Sequence, residues 1–235
     1  MFAFQDNDTD AQVPALGKAV FPVDRIPNWG AMRSSAEWDR PYEAMTEADF
    51  VPVPSYDLAQ LTIPISSLTN PIIEDNIHLI TAKLFYSTRY FAAYDLDADE
   101  FTGNHAGVDL KLPLGTPVRV IGGGIVREAG DGGALGTYVM VEHRLKNGEK
   151  FFSIYGHLRS MKVRAGDAVG AGQVIGEVGF TGISTGPHLH LQVDRDDGSA
   201  KHMPFTPLQP LTRNEAAKWS VNPITFIQEH VSASW

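Results

Sequence analysis

A chain of 235 residues, 43% hydrophobic and 20% charged, suits one main globular domain with an appendage and is too apolar for disorder. A net charge of −9 without a Lys/Arg cluster argues against nucleic acid as a partner. The absence of cysteine excludes disulfides and thiolate metal sites, and no apolar run approaches the ~18–20 residues a membrane-spanning helix needs.

Residues 1–10 have neither the basic nor the apolar region of a signal peptide. Residues 1–68, rich in Pro, Asp and aromatics, read as an irregular arm that wraps the main domain or bridges to a partner. Within the arm, residues 34–49 predict short helices, one capped by Ser35 and one begun at Thr46. Pro52 and Pro54 then favour extended chain. The domain proper is expected over 69–235, with its core at 83–193. Apolar and aromatic residues between Leu79 and Tyr94 predict a strand, and an acidic loop at 95–104 leads to His105. From there to Val193, short apolar runs are broken by glycine. They predict strands at 118–121, 124–127, 138–143 and 151–155, with turns at 122–124 and 131–133. Asn147-Gly148 is a hairpin signal. No ten-residue stretch here carries a helical stripe, so the fold class is mostly β, an antiparallel sandwich or open barrel. At the end, residues 215–219 are a candidate helical turn. Pro223 followed by Ile224, Phe226, Ile227 and Val231 predicts a short helix docking its apolar side.

The chemistry concentrates in Gly186-Pro187-His188-Leu189-His190-Leu191-Gln192-Val193. Read as a strand, it turns Leu189, Leu191 and Val193 into a core and His188, His190 and Gln192 onto one opposite surface. His188 and His190 then stand roughly 6–7 Å apart at Cα, so that one imidazole can bind a metal while the other reaches a water on it. Upstream, His105-Ala106-Gly107-Val108-Asp109 places a histidine and a carboxylate four apart. A straight strand would separate them by roughly 13 Å, so sharing an ion needs a bend, which Gly107 permits. Two imidazoles and one carboxylate with an open position form the pattern of catalytic zinc sites. His143 reads as structural or surface rather than as a ligand. His78, His202 and His230 fall outside any motif and read as surface residues.

His105-x-x-x-Asp109, Tyr155-Gly156-His157-Leu158 and Ser184-Thr185-Gly186-Pro187-His188-Leu189-His190 together resemble the lysostaphin/LytM-type zinc endopeptidases. The glycine-rich text from Gly166 to Gly182 is also similar to that family, and the resemblance covers roughly residues 83–193 and extends to the Asn222-Pro223 tail. It departs at Gly156, where the family usually has alanine, and at the tyrosine expected shortly before the first zinc histidine, for which Tyr94 is the nearest candidate. The resemblance implies a duplicated hybrid motif fold with one zinc ion held by His105, Asp109 and His190. His157 and His188 would act beside the metal as general base and transition-state stabiliser. Substrate contacts would come from Thr181, Ser184, Thr185 and Tyr94. The implied activity is hydrolysis of peptidoglycan cross-link peptides by a metal-activated water, outside the cytoplasm. Three other readings compete or add to this one. The first is an inactive relative that binds peptidoglycan or activates a cell-wall amidase, although such relatives typically lose zinc ligands and all are present here. The second is a lipoyl- or biotinyl-type carrier suggested by 166–179, which lacks a suitably exposed lysine. The third is inhibition by the 1–68 arm lying across the groove.

Overall fold

The computed structural model describes residues 13–14, 16–28, 31–32, 34–52, 86–88, 107–184, 186–196 and 220–230. The strand predicted around 79–94 and the helical turn at 215–219 therefore lie largely outside the described residues; of the first, Tyr86–Thr88 (β3) is seen. Among the described residues, the architecture is mostly antiparallel β with few helices, as the glycine-punctuated sequence predicts.

Two short strands, Arg25–Pro27 (β1) and Phe50–Pro52 (β2), pair in a small sheet of their own. Between them lie one helical turn, Ser35–Trp38 (α1), and two 3-10 turns at Tyr42–Ala44 and Glu47–Asp49. The Ser34 hydroxyl accepts the Glu37 amide at 3.3 Å, three residues on, as an N-cap does. Thr46 behaves as expected: its amide and hydroxyl both donate to Asp49 Oδ2. With Arg40 at 2.6 Å, these donors hold the Asp49 carboxyl down to about 2.

Among the described residues ten strands form the main sheet, which stays open. In chain order after β3 they are Gly107–Leu110 (β4), Pro117–Arg119 (β5), Gly124–Gly132 (β6), Gly136–Arg144 (β7), Lys150–Met161 (β8), Ala168–Val169 (β9), Val174–Val178 (β10), Leu189–Asp196 (β11) and Ser220–Val221 (β12). The order β3-β4-β11-β8-β7-β6-β9 runs across the sheet, and β10 joins β8 to β5. Strands β6, β7 and β8 are longer than the apolar runs that predict them. Their polar outer halves are carried by pairing with a neighbour, which periodicity alone does not report.

The core joins the sheet to the N-terminal segment. Leu16, Ala19, Phe21, Val23, Ile26 and Met32 are buried in one cluster with Val118, Val120, Ile121, Leu189 and Leu191. Backbone bonds stitch the same segment down: the Val20 amide donates to Ile121 O at 2.8 Å, and the Gly123 amide to Leu16 O at 3.0 Å. The final helix, Pro223–His230 (α2), docks Ile224, Phe226 and Ile227 as its sequence predicts. Asn222 Oδ1 caps it through the Ile224 amide at 3.0 Å. His230 is not a plain surface residue: its ring stacks 4.4 Å from Phe226, and Nδ1 donates to Phe226 O at 2.8 Å.

His143 is structural, and its setting is a polar thread through the core. The Ile121 amide donates to the Tyr155 hydroxyl, which bonds Ser153 Oγ at 2.9 Å. Ser153 Oγ lies 2.7 Å from His143 Nε2, and His143 Nδ1 lies 2.9 Å from Gly123 O. One direction of donation satisfies every atom: Tyr155 to Ser153, Ser153 to Nε2, and Nδ1–H to Gly123 O. His143 is therefore neutral. Burial pushes its pKa down to about 4, and the same burial raises that of Tyr155.

Candidate metal centre

Pairing of β4 with β11 builds the site. His190 stands directly opposite Asp109, and Gln192 opposite Gly107. Directly opposed side chains in an antiparallel pair have Cβ atoms about 5 Å apart. Asp109 Oδ1 accordingly lies 3.1 Å from His190 Nδ1 and 3.7 Å from His188 Nε2. Gly107 is required by this closeness. A Cβ there would stand 2.9 Å from the Cε1 and Nε2 atoms of His190 and would also collide with Leu191 O. Leu189, Leu191 and Val193 face the core as the alternation predicts. The opposite face is buried as well: His190, Gln192 and Asp194 are 5%, 1% and 1% exposed.

His157 arrives from β8. The first half of that strand pairs with β11 as far as Gly156 opposite His190; beyond it, Leu158 pairs with Val178 of β10. His157 sits at this switch with φ of 58°, the only non-glycine at positive φ among the described residues. Left-handed backbone costs a residue with a Cβ roughly 1–2 kcal/mol, and such cost gathers where a side chain must be aimed. The aim is visible: the His157 ring lies 4.5 Å from that of His188 and 6.0 Å from that of His190. At Gly156, an added Cβ would stand 2.8 Å from Leu135 Cδ2, so the Leu135 side chain already fills the space an alanine methyl would use.

Two backbone carbonyls fix the tautomers of the outer histidines. His157 Nδ1 lies 2.8 Å from Thr181 O, and His188 Nδ1 lies 2.8 Å from Gly186 O. A carbonyl only accepts, so each Nδ1 carries the hydrogen, and in the neutral ring Nε2 keeps the lone pair. Burial, then the neighbouring His188 and His190, push the His157 pKa down to about 4. The ring is thus a neutral acceptor at neutral pH.

The loop expected to touch substrate has a second job. The Thr181 hydroxyl donates to Leu158 O at 2.8 Å and accepts the Thr137 amide at 3.0 Å. The Ser184 hydroxyl donates to Gly186 O at 2.8 Å. Both hydroxyls are therefore engaged in shaping the wall that carries His157 and His188. The same loop presents Phe180 and Ile183, 56% and 69% exposed. Sequence reasoning passed over this pair, although two large apolar residues in a Gly/Thr/Ser-rich turn are the signal.

A carboxylate oxygen and an imidazole nitrogen 3.1 Å apart, joined at the centre of two paired strands, fit a small divalent ion. Two ligands at 2.0–2.2 Å from a tetrahedral zinc stand about 3.3–3.6 Å apart. Imidazole with carboxylate suits zinc better than calcium or magnesium, which take more oxygens. Among the described residues no three His, Asp or Glu side chains form a complete ligand set. His105, the third expected ligand, lies outside them, as do Tyr94 and Thr185.

Residues 103–203 match the model of Peptidase family M23. This segment, 101 of the 235 residues, is the part of the chain that is similar to the family. The M23 segment is 43% identical over 95 residues to the glycyl-glycine endopeptidase ALE-1 of Staphylococcus capitis, covering 38% of this chain and 24% of that protein. It is 39% identical over 89 residues to the peptidoglycan DD-endopeptidase ShyA of Vibrio cholerae, covering 38% and 20%. The chain therefore spans a quarter or less of the length of these curated relatives. Among solved structures, it is similar to the catalytic domain of lysostaphin from Staphylococcus simulans at 31% identity, covering 53% of this chain and 79% of that one, with a TM-score of 0.41. A zinc containing peptidase from Vibrio cholerae matches at 34% identity over 43% of this chain and 31% of that one, with a TM-score of 0.36.

Proposed function

We propose that the M23 segment is a zinc-dependent endopeptidase that hydrolyses peptide cross-links of bacterial peptidoglycan, with His105, Asp109 and His190 as the ligands of one zinc ion. The observation that carries this reading is the 3.1 Å approach of Asp109 Oδ1 to His190 Nδ1, beside two histidines whose Nδ1 atoms are tied to carbonyls and whose Nε2 atoms keep lone pairs. The relatives named for endopeptidase activity on glycyl-glycine and peptidoglycan bonds support the substrate class.

A bound zinc supplies a Lewis acid that polarises the scissile carbonyl and acidifies water to near neutral pH. The protein's own share begins with His157 and His188. With Nδ1–H tied to a carbonyl, each ring presents Nε2 as a proton acceptor of fixed direction. One takes the proton of the attacking water, and the other, with a proton on its Nε2 as well, would donate a hydrogen bond to the oxyanion that develops on the cleaved amide. The proton then passes to the leaving amine from the ring that received it. Phe180 and Ile183 offer apolar area to the peptide, and Thr181, Ser184, Thr185 and Tyr94 would be its further contacts. Such a substrate lies outside the cytoplasm, and the enzyme would act there. Among the described residues no helix is long and apolar enough to cross a membrane.

Digestion of purified peptidoglycan by the zinc-loaded full chain, with products identified by mass, tests the reading. Expected are fragments with new stem- or bridge-peptide termini that vanish with chelation or with His157→Ala. Intact peptidoglycan of every cross-link type, with zinc bound, would instead favour a binding module or amidase activator.

A further inference from the structure

We propose that Gln192, Asp194 and Ser220 form a positioning chain that fixes His190 as its Nε2–H tautomer and so turns the Nδ1 lone pair toward Asp109. This rests on the metal reading above for its purpose, though not for its geometry.

Gln192 and Asp194 lie on the face of β11 opposite the Leu189–Leu191–Val193 core face, each two residues beyond the last, and Ser220 joins them from the neighbouring strand. All three are sealed from water: Gln192 and Asp194 are 1% exposed and Ser220 5%. His190 Nε2 lies 3.4 Å from Gln192 Oε1, Gln192 Nε2 lies 2.8 Å from Asp194 Oδ2, and Ser220 Oγ lies 3.2 Å from Asp194 Oδ1. Proton accounting gives the direction. A carboxylate offers only acceptors, so Ser220 donates its hydroxyl and Gln192 turns its NH2 toward Asp194. The amide oxygen must then face His190. Both ring nitrogens of His190 then face acceptors, Gln192 Oε1 at Nε2 and Asp109 Oδ1 at Nδ1, and the proposed state places the hydrogen on Nε2. A neutral imidazole has one N–H, which leaves Nδ1 with its lone pair 3.1 Å from the Asp109 oxygen. In that proposed state two acceptors face one another, an arrangement that a cation between them would relieve. The chain thus stores a site that favours a metal ion over a proton-bridged Asp109–His190 pair.

Its last member comes from elsewhere in the sequence. Ser220 belongs to β12, which pairs with β11 through Asp194 opposite Ser220, beyond the matched segment 103–203. The C-terminal strand therefore supports a ligand through an amide and a carboxylate, the outer-sphere arrangement that sets ligand orientation in metal sites. Asp194 and Gln192 touch neither substrate nor metal and are positioning residues.

The test is the tautomer of His190 in the full chain, labelled with 15N in histidine and stripped of metal, read by long-range proton–nitrogen correlation. The expected state is Nε2–H. Asp194→Asn frees the Gln192 amide to turn round, because the carboxamide introduced there can donate to it, and should convert His190 to Nδ1–H; Gln192→Met should release the preference as well. Both variants should bind zinc about 10–100-fold more weakly in competition with a chromophoric chelator, with the apo fold checked by Tm. A wild-type Nδ1–H tautomer overturns the proposal without any variant. So do folded variants that keep both the tautomer and the zinc affinity. If the wild-type chain shows Nε2–H yet takes up no zinc, the metal reading fails and the hydrogen-bond chain stands.

Discussion

His143 makes the stability of this protein depend on pH in a calculable way. Its ring is fully buried, and neutral in a thread of four hydrogen bonds. Burial lowers its pKa from 6.5 to about 4. The unfolded chain therefore binds the proton first as pH falls, and stability is lost in that direction. The full contribution is present above pH 6.5, declines between 6.5 and about 4, and levels below that. At 1.36 kcal/mol per unit, the whole loss is roughly 3 kcal/mol, of which about 2 kcal/mol is already gone at pH 5. Urea unfolding of wild type and His143→Gln at pH 8, 7, 6 and 5 would measure it. Glutamine does not titrate, so the variant starts less stable at pH 8 and loses less on acidification. The carboxylates that titrate low in the fold, Asp49 and Glu177 at about 2, lose their stabilising share mostly below pH 5 and are common to both proteins. Parallel pH slopes for the two proteins between pH 7 and 5 would refute the neutral, buried assignment.

Four further outcomes are expected. Asp109→Ala should reduce zinc stoichiometry and abolish peptidoglycan cleavage, because it removes one of the two facing donor atoms; metal analysis and digestion check it. Gly107→Ala should destabilise by about 1–3 kcal/mol and disturb His190, since its methyl would overlap Leu191 O and the imidazole; denaturant midpoints report this. Phe180→Ala and Ile183→Ser should lower kcat/KM several-fold on peptidoglycan while leaving Tm nearly unchanged, as both side chains are exposed. Deleting residues 1–32 should unfold the domain rather than activate it. Burying Leu16, Phe21, Val23 and Ile26 contributes roughly 6–12 kcal/mol as an upper figure, which rivals the whole stability of a typical domain; circular dichroism decides.

Much of the site was legible because period-two alternation and motif spacing are local. The face carrying Leu189, Leu191 and Val193 and the face carrying His190 and Gln192 separate in the sequence as they do in the strand. The final helix was legible for a similar reason, with Pro223 at its start and an apolar stripe behind it. What was not legible depends on partners distant in sequence. The second face of β11 reads as a wet surface, yet it is buried, and Ser220 of the C-terminal strand closes over Asp194 there. Thr181 and Ser184 read as substrate hydroxyls, and the sequence does not show that they also bond the carbonyls of Leu158 and Gly186. The bend that brings His157 to its neighbours is a positive φ at a histidine, which no residue preference announces. The N-terminal arm lacks periodicity because its apolar side chains enter the core singly from an irregular backbone, so its place in that core was hidden.

An anomalous difference map at the zinc edge, from crystals of the full chain grown with zinc, tests the centre itself. The account predicts one strong peak about 2.0–2.2 Å from Asp109 Oδ1, His190 Nδ1 and a nitrogen of His105. A peak bound through His190 Nε2, or no zinc between Asp109 and His190, would contradict it.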